Sequence, residues 1–296
     1  MVHLTIAANG SQRSITFTGD LGRKDVPILR DPAPIPPADL IISESTYGGR
    51  NHPGVEMLAS DLVSVVQRTV ERGGKVLIPA FSLGRTQTII YFLHQVINSG
   101  QLKRLPIFVD SPLSAAATEV FRMHPECFDE ETSLLLYQDS DLFGESLARF
   151  TRSVEESKSI NHVKEPCIVI AASGMCESGR ILHHLKKNIE NPRNTVLIIC
   201  YQAPETLGRR LVEKRPMVRI LGGQYQLKSE VTILNGFSGH AGRDDLLAAL
   251  TPLADPKRQV RLVHGDPDQA ELLKATLLER GFTDVAIPDR GESLTM

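Results

Sequence analysis

Residues 74–87, Gly74-Lys-Val-Leu-Ile-Pro-Ala-Phe-Ser-Leu-Gly-Arg-Thr-Gln87, decide the fold class of this chain. Residues 75–79 are a short apolar run ended by proline. Residues 83–97 then place apolar side chains at helical spacing as far as the stop at Gly100. A strand therefore feeds a helix through a short loop. Downstream, residues 106–109 read as a strand and 112–123 as a helix with proline near its start. Residues 167–172 follow as a strand, 179–190 as a helix and 195–201 as a strand. Strands alternating with helices imply an α/β fold, its parallel sheet covered on both faces. An acidic, irregular helical stretch interrupts the pattern as far as about residue 158.

Upstream, residues 54–71 read as a helix. Residues 2–6 and 14–18 read as two short strands around an Asn9-Gly10 turn. Pro27, Pro32, Pro34, Pro36 and Pro37 then exclude a helix or an inner strand. Residues 39–43 form a third strand ending at Glu44. After the central region, 218–221 and 226–234 read as strands, 243–253 as a helix, 259–263 as a strand, 267–280 as a helix and 284–287 as a last strand. There is no internal repeat and no Gly-x4-Gly-Lys-Ser/Thr phosphate loop.

The chain has 296 residues, 41% hydrophobic and 23% charged, which excludes a mostly disordered protein. Its longest apolar runs, 167–172 and 196–200, are too short to span a bilayer, and residues 1–6 do not form a signal peptide. Cys127, Cys167, Cys176 and Cys200 contain no Cys-x-x-Cys pair, so neither a disulfide framework nor a zinc ribbon is expected, and a reducing cytoplasm is. With 33 basic and 35 acidic residues the formal charge is −2, which excludes a globally basic nucleic-acid binder but not a basic face. Residues 180–219 carry nine Lys/Arg against three acids, whereas 126–145 carry seven acids and no base.

Four titratable residues stand just past the ends of expected strands, where α/β folds place their sites. They are Asp20 in Thr18-Gly-Asp-Leu-Gly, Glu44 in Ser43-Glu-Ser-Thr-Tyr-Gly48, His240 in Phe237-Ser-Gly-His-Ala241 and His264 in Val263-His-Gly265. Singly, each is more simply a turn residue or a satisfied hydrogen bonder. Together, a carboxylate and imidazoles suit zinc, and a second carboxylate such as Glu44 suits the task of fixing an imidazole tautomer.

These four motifs, in this order, resemble the β-CASP branch of metallo-β-lactamase-fold nucleases, which includes the endonuclease of pre-mRNA cleavage and polyadenylation, its archaeal and bacterial relatives, and ribonuclease J. The resemblance covers nearly the whole chain. It extends to residues 74–87, Val109-Asp-Ser-Pro-Leu113, Ala172-Ser-Gly-Met175, Gly179-Arg180, Tyr201-Gln-Ala203 and Thr206-Leu-Gly-Arg209. It implies a partial metallo-β-lactamase αββα sandwich, residues 1–54 and 231–296, with an inserted parallel-sheet cap over 55–230. It further implies that Asp20 and His264 are metal ligands, that Glu44 holds His240, and that His240 faces the scissile phosphate. The implied centre has two zinc ions, and a hydroxide they bind attacks phosphorus in line. Histidine at the position of His264 points to RNA, because DNA-acting members usually lack it.

The family's His-x-His-x-Asp-His signature is absent from this sequence. His3 does not match a ligand position and is read as a strand residue. With only Asp20 and His264 as matching ligands, the expectation is a fragment of a longer nuclease, inactive alone, or else a natural form without the catalytic half. Such a chain would expose an unpaired sheet edge and apolar faces, and would associate unless a partner covered them.

In the cap, the backbone at Ser173 and Gly174 and the side chains of Arg85, Arg180, Arg209 and Arg210 are candidate contacts to the phosphates of single-stranded RNA. Tight turns and a solvated basic helix would explain the same residues. Only Phe81, Tyr201 and Phe237 are aromatics beside the motifs. His183-His184 reads as a polar helix face, Cys167 and Cys200 as buried hydrophobes, and Cys176 as a loop residue open to exposure. The main rival to a zinc ribonuclease is a non-catalytic RNA-binding or scaffolding module with a degenerate metal site. A nucleotide-binding enzyme without a phosphate loop is the weaker third.

Overall fold

A computed structural model describes residues 1–8, 10–138, 141–143 and 146–294, so Asn9 of the expected turn lies outside the described residues. The strands are β1 (Val2–Ala8), β2 (Ser11–Phe17), β3 (Leu40–Glu44), β4 (Val76–Pro79), β5 (Ile107–Asp110), β6 (Ala148–Phe150), β7 (Ile168–Ala171), β8 (Thr195–Ile198), β9 (Met217–Ile220), β10 (Gly223–Gln226), β11 (Glu230–Ile233), β12 (Gln259–Val263) and β13 (Asp284–Ala286). The α-helices are α1 (Leu58–Glu71), α2 (Arg85–Asn98), α3 (Pro112–Met123), α4 (Glu130–Gln138), α5 (Val154–Ser159), α6 (Ile181–Asn188), α7 (Leu207–Val212), α8 (Arg243–Leu250) and α9 (Pro267–Glu279). They divide between two compact units, one of Met1–Val26, Asp31–His52 and Gly239–Met296, the other of Pro27–Arg30 and Pro53–Ser238.

Among the described residues, the second unit builds a six-stranded, all-parallel sheet in the order β11-β8-β4-β7-β5-β6. All four residues of each of β4, β5, β7 and β8 are buried, as strands covered on both faces must be. On α1, Leu58, Leu62, Val65, Val66 and Thr69 are the buried positions, a single helical face. Burying each of its leucines and valines contributes roughly 1.5–3 kcal/mol before conformational entropy is counted. Proline at its start and Ser111, which accepts the Ser114 N–H, begin α3.

Three elements differ from expectation. Residues 148–150 form a strand inside the acidic stretch, because β6 pairs with β5 at the sheet edge. Thr206 caps a short helix, α7, by accepting the Arg209 N–H. The single strand expected over 226–234 is two strands. β10 pairs antiparallel with β9, and β11 joins β8 in parallel, which keeps 231–238 with this unit. Period-two alternation cannot show that a strand changes partners midway.

The first unit has a five-stranded sheet among the described residues, order β1-β2-β3-β12-β13, with β1 antiparallel to β2 and the remaining neighbours parallel. Ile41, Val260, Leu262 and Val285 are buried with Leu246, Leu250, Leu273 and Leu277 of α8 and α9. Val2, Leu4 and Ile6 alternate along β1, opposite Phe17, Ile15 and Arg13 of β2. Val2, Leu4, Ile6 and Phe17 stand exposed. No described helix is long and apolar enough to cross a membrane.

Candidate metal centre

The centre lies in the first unit, beyond the carboxyl ends of β2, β3 and β12. Gly19, at φ +60, turns the chain after β2 and delivers Asp20. Thr18 Oγ1 accepts the Glu44 N–H at 3.3 Å and so ties this turn to β3. His264 follows β12 at φ +53, a backbone region that side-chain-bearing residues seldom occupy. It is held there by the loop that follows β3. Thr46 Oγ1 donates to the His264 carbonyl at 2.9 Å, and Ser45 Oγ donates to the Val263 carbonyl at 3.0 Å. A β-carbon on Gly265 would come 2.6 Å from the Ser45 carbonyl oxygen, so this crossing requires glycine.

His240 arrives before α8. Its Nδ1 is 3.0 Å from Glu44 Oε2, and Glu44 Oε1 accepts the Leu21 N–H at 2.5 Å. The buried Glu44 thus fixes the loop carrying Asp20 and the ring of His240 together. The Leu21 carbonyl also accepts the Ala241 N–H at 2.8 Å. His52 adds a further support, its Nε2 lying 3.1 Å from the His240 carbonyl and its ring edge-on to Tyr47 at 4.3 Å.

Ligand atoms of Asp20, His240 and His264 all lie within 4.8 Å of one another. Asp20 and His264 are open to solvent, with His264 Nε2 and Asp20 Oδ1 3.5 Å apart, while His240 is half-buried. The structure therefore brings all four sequence-derived candidates of this unit together. One carboxylate and two imidazoles are a donor set that fits zinc. Sequence reasoning assigned no part to Ser45, Thr46, Leu21 or His52. Ser45 and Thr46 lie inside the Ser43–Gly48 motif and could have been noticed there. The roles of the Leu21 backbone and of His52 had no sequence signal, because they depend on packing.

The second unit treats its candidates differently. Ser173 Oγ accepts the N–H groups of Glu177 and Ser178 at 3.2 and 3.3 Å, and the Ser173 N–H donates to the Ser178 carbonyl. The Gly174 carbonyl accepts from Gln202 Nε2 at 2.9 Å. Arg85 donates to the Phe237 carbonyl, and Arg209 pairs with Glu213 at 2.9 Å. Arg210 lies 3.9 Å from Glu205. Each of these is engaged within the protein.

Arg180 joins a buried cluster. Its Nη1 donates to Asp110 Oδ1 at 2.7 Å, and Nη2 donates to the Arg152 carbonyl at 2.9 Å. Asp110 also accepts from Ser157 at 2.6 Å and from Thr151, and lies 2.6 Å from His184 Nε2. Burial alone would raise the Asp110 carboxyl, but the bonds from His184, Ser157, Thr151 and Arg180 outweigh it and hold it well below the usual carboxylate range. His184 is thus no part of a polar helix face: it is buried, turned inward by this carboxylate. Cys176 is buried as well, packed with Cys167, Ile181 and Leu207, and Cys167 and Cys200 are buried as expected.

Residues 86–211 match the model of the Beta-Casp domain, and residues 224–288 match that of the Zn-dependent metallo-hydrolase RNA specificity domain. This chain belongs to the β-CASP family of the metallo-β-lactamase fold. Ribonuclease TTHA0252 of Thermus thermophilus is 36% identical over 289 residues, which are 98% of this chain and 65% of that protein. Transcription termination factor FttA of Methanosarcina mazei is 33% identical over 263 residues, 86% of this chain and 41% of that one. RNase aCSPSF2 of Saccharolobus solfataricus is 30% identical over 294 residues, 98% of this chain and 56% of that one. The chain thus spans less than two thirds of the length of these curated relatives.

Proposed function

We propose that this chain is part of a metal-dependent RNA phosphodiester hydrolase. The convergence of Asp20, His240 and His264, with Glu44 behind His240, is the observation that supports it. Ribonucleases among the relatives, and histidine at position 264, favour RNA over DNA as substrate. Asp20, His264 and His240 would hold the ion, which when bound supplies a water acidic enough to ionise near neutral pH. Three donors suit one zinc with an open position. The two-ion centre implied by the resemblance would need ligands beyond those found among the described residues.

The protein's own contribution is placement. Glu44 accepts the His240 Nδ1–H, which fixes one tautomer and leaves Nε2 to meet the metal ion or to hold a proton near the phosphate. Thr46 and Ser45 keep His264 in place through its backbone. His52 does the same for the His240 loop.

Cleavage of end-labelled single-stranded RNA by the purified chain, with and without added zinc, tests the proposal. The missing signature predicts inactivity, but His240 adds a third donor to Asp20 and His264, so zinc-dependent cleavage lost in both Asp20→Ala and His240→Ala is expected. Salt-sensitive RNA binding with no cleavage at any zinc concentration would instead favour a non-catalytic RNA-binding module, a role compatible with a centre of three ligands.

A further inference from the structure

We propose that Phe81 is a stacking platform for one unpaired base of single-stranded RNA; this rests on the RNA reading above. Phe81 follows β4, the third strand in the order of the six-stranded sheet, at the carboxyl end where parallel sheets present ligand-binding loops. Phe81 is 40% exposed, whereas Phe92, Phe108, Phe128, Phe143 and Phe237 of the same unit are buried. A β-carbon at position 174 would stand 2.9–3.2 Å from three atoms of the ring, so the ring is backed directly by the Gly174 backbone. Glycine there leaves room for the ring to lie against a peptide instead of a side chain.

The backbone beneath the ring is tightly bonded. The Phe81 carbonyl accepts the Thr86 N–H at 3.2 Å and the Thr86 hydroxyl at 2.9 Å. The Ala80 N–H donates to the Ala171 carbonyl at 3.1 Å, and Ser82 Oγ lies 3.2 Å from Ser111 Oγ of the next loop. An exposed aromatic on so constrained a turn offers a flat surface with little ordering entropy to lose on binding. Leu83, on the loop of Phe81, and Leu113, in the first turn of α3, are exposed apolar side chains.

Charge selects a nucleic acid as the occupant. Between residues 79 and 118 the only acid is Asp110, which is buried and fully bonded. The turn itself carries Arg85. The loops after β4 and β5 therefore offer a polyanionic backbone no exposed carboxylate, and Glu177, in the loop of Gly174 that backs the ring, accepts the Leu207 N–H at 2.5 Å. Tyr137, the other well-exposed aromatic of this unit, lies in the acidic stretch 126–145, where phosphates would be repelled. A nucleobase has the flat apolar face that fits the ring and needs no particular edge, so stacking without sequence preference follows.

Fluorescence anisotropy of a labelled 12-nucleotide RNA on the whole chain tests this. Phe81→Ala should weaken binding by about 5- to 150-fold. Phe81→Trp should bind at least as tightly as the native chain, and Phe81→Leu should resemble Phe81→Ala. The salt slope should be the same in all four, since phosphate contacts are untouched. In the native chain, an abasic nucleotide at one position should reproduce the Phe81→Ala loss. Equal affinity of Phe81→Ala and native chain, equal affinity of the Leu and Trp variants, or insensitivity to abasic position would overturn the platform alone. No RNA binding by the native chain would overturn the platform and the RNA reading together.

Discussion

Replacing Glu44 with glutamine isolates the contribution of one carboxylate oxygen to the candidate metal centre. Glu44 Oε1 accepts from the Leu21 N–H at 2.5 Å and Oε2 from His240 Nδ1 at 3.0 Å, both out of contact with bulk water. An amide has nearly the same shape but only one acceptor. If its oxygen stays with Leu21, its NH2 group faces His240 and forces Nδ1 to accept. The imidazole proton then moves to Nε2, the nitrogen proposed to meet the metal ion. If the amide turns over, NH2 meets N–H at Leu21, and a buried donor is left unpaired at a cost of about 1–3 kcal/mol. Either orientation weakens the centre. Loss of such an outer partner typically lowers metal affinity by about 10- to 100-fold, or roughly 1.4–2.7 kcal/mol. Competition against a chromophoric zinc chelator measures this directly, with circular dichroism to show that the variant is folded and His240→Ala as the reference for a lost ligand. A folded Glu44→Gln protein that binds zinc within twofold of the native chain would refute the placement argument. A native chain that binds no zinc would refute the centre itself.

Asp110→Asn should destabilise the second unit by about 3–5 kcal/mol in urea unfolding, because Arg180 loses its buried counter-charge and His184 Nε2 its carboxylate partner; a loss under about 1 kcal/mol would contradict this. The folded Asp110 carboxyl lies below its ordinary value, so its stabilising contribution is present above about pH 4 and is lost as the pH falls through the folded value. The gap between native chain and variant should accordingly narrow on acidification, and a widening gap would refute the assignment. Iodoacetamide should modify the exposed Cys127 rapidly, as read by mass spectrometry, while Cys167 and Cys200, whose thiols burial pushes up to about 11, and Cys176, also pushed up by burial, should react only on unfolding. Leu4→Lys with Ile6→Lys should reduce self-association in light scattering and change stability by no more than about 0.5 kcal/mol, since both side chains are already exposed; a native chain monomeric at every concentration would show that the β1 face does not drive association.

Much of this was legible in the residues. Apolar runs of four or five residues alternating with helical periods marked β4, α2, β5, α3, β7 and β8, because a strand buried on both faces leaves a continuous apolar signature. The strand at 148–150 and the division of 226–234 were not legible, since three or four residues take their state from the strand they pair with. The motifs likewise located Asp20, Glu44, His240 and His264 at strand ends. They did not reveal that Ser173, Arg85 and Arg180 are bonded within their own unit, because a polar side chain in a loop has the same sequence whether its partner is protein or phosphate. His184 and Cys176 were misplaced for a related reason. One buried carboxylate, 74 residues away, turns His184 inward.

The sequence by itself determined the parallel α/β order and the four chemical groups that stand at its strand ends, because local periodicity and turn chemistry are encoded within a few residues. Only the tertiary structure decided which groups meet. Glu44 and His240 are 196 residues apart, and Asp20 and His264 converge from different strands. Their distances depend on sheet order and on crossings such as Ser45 over Gly265, which no local pattern records. The same holds for Phe81, which stands between Ala80 and Ser82 in sequence but whose ring is backed by a glycine more than ninety residues away.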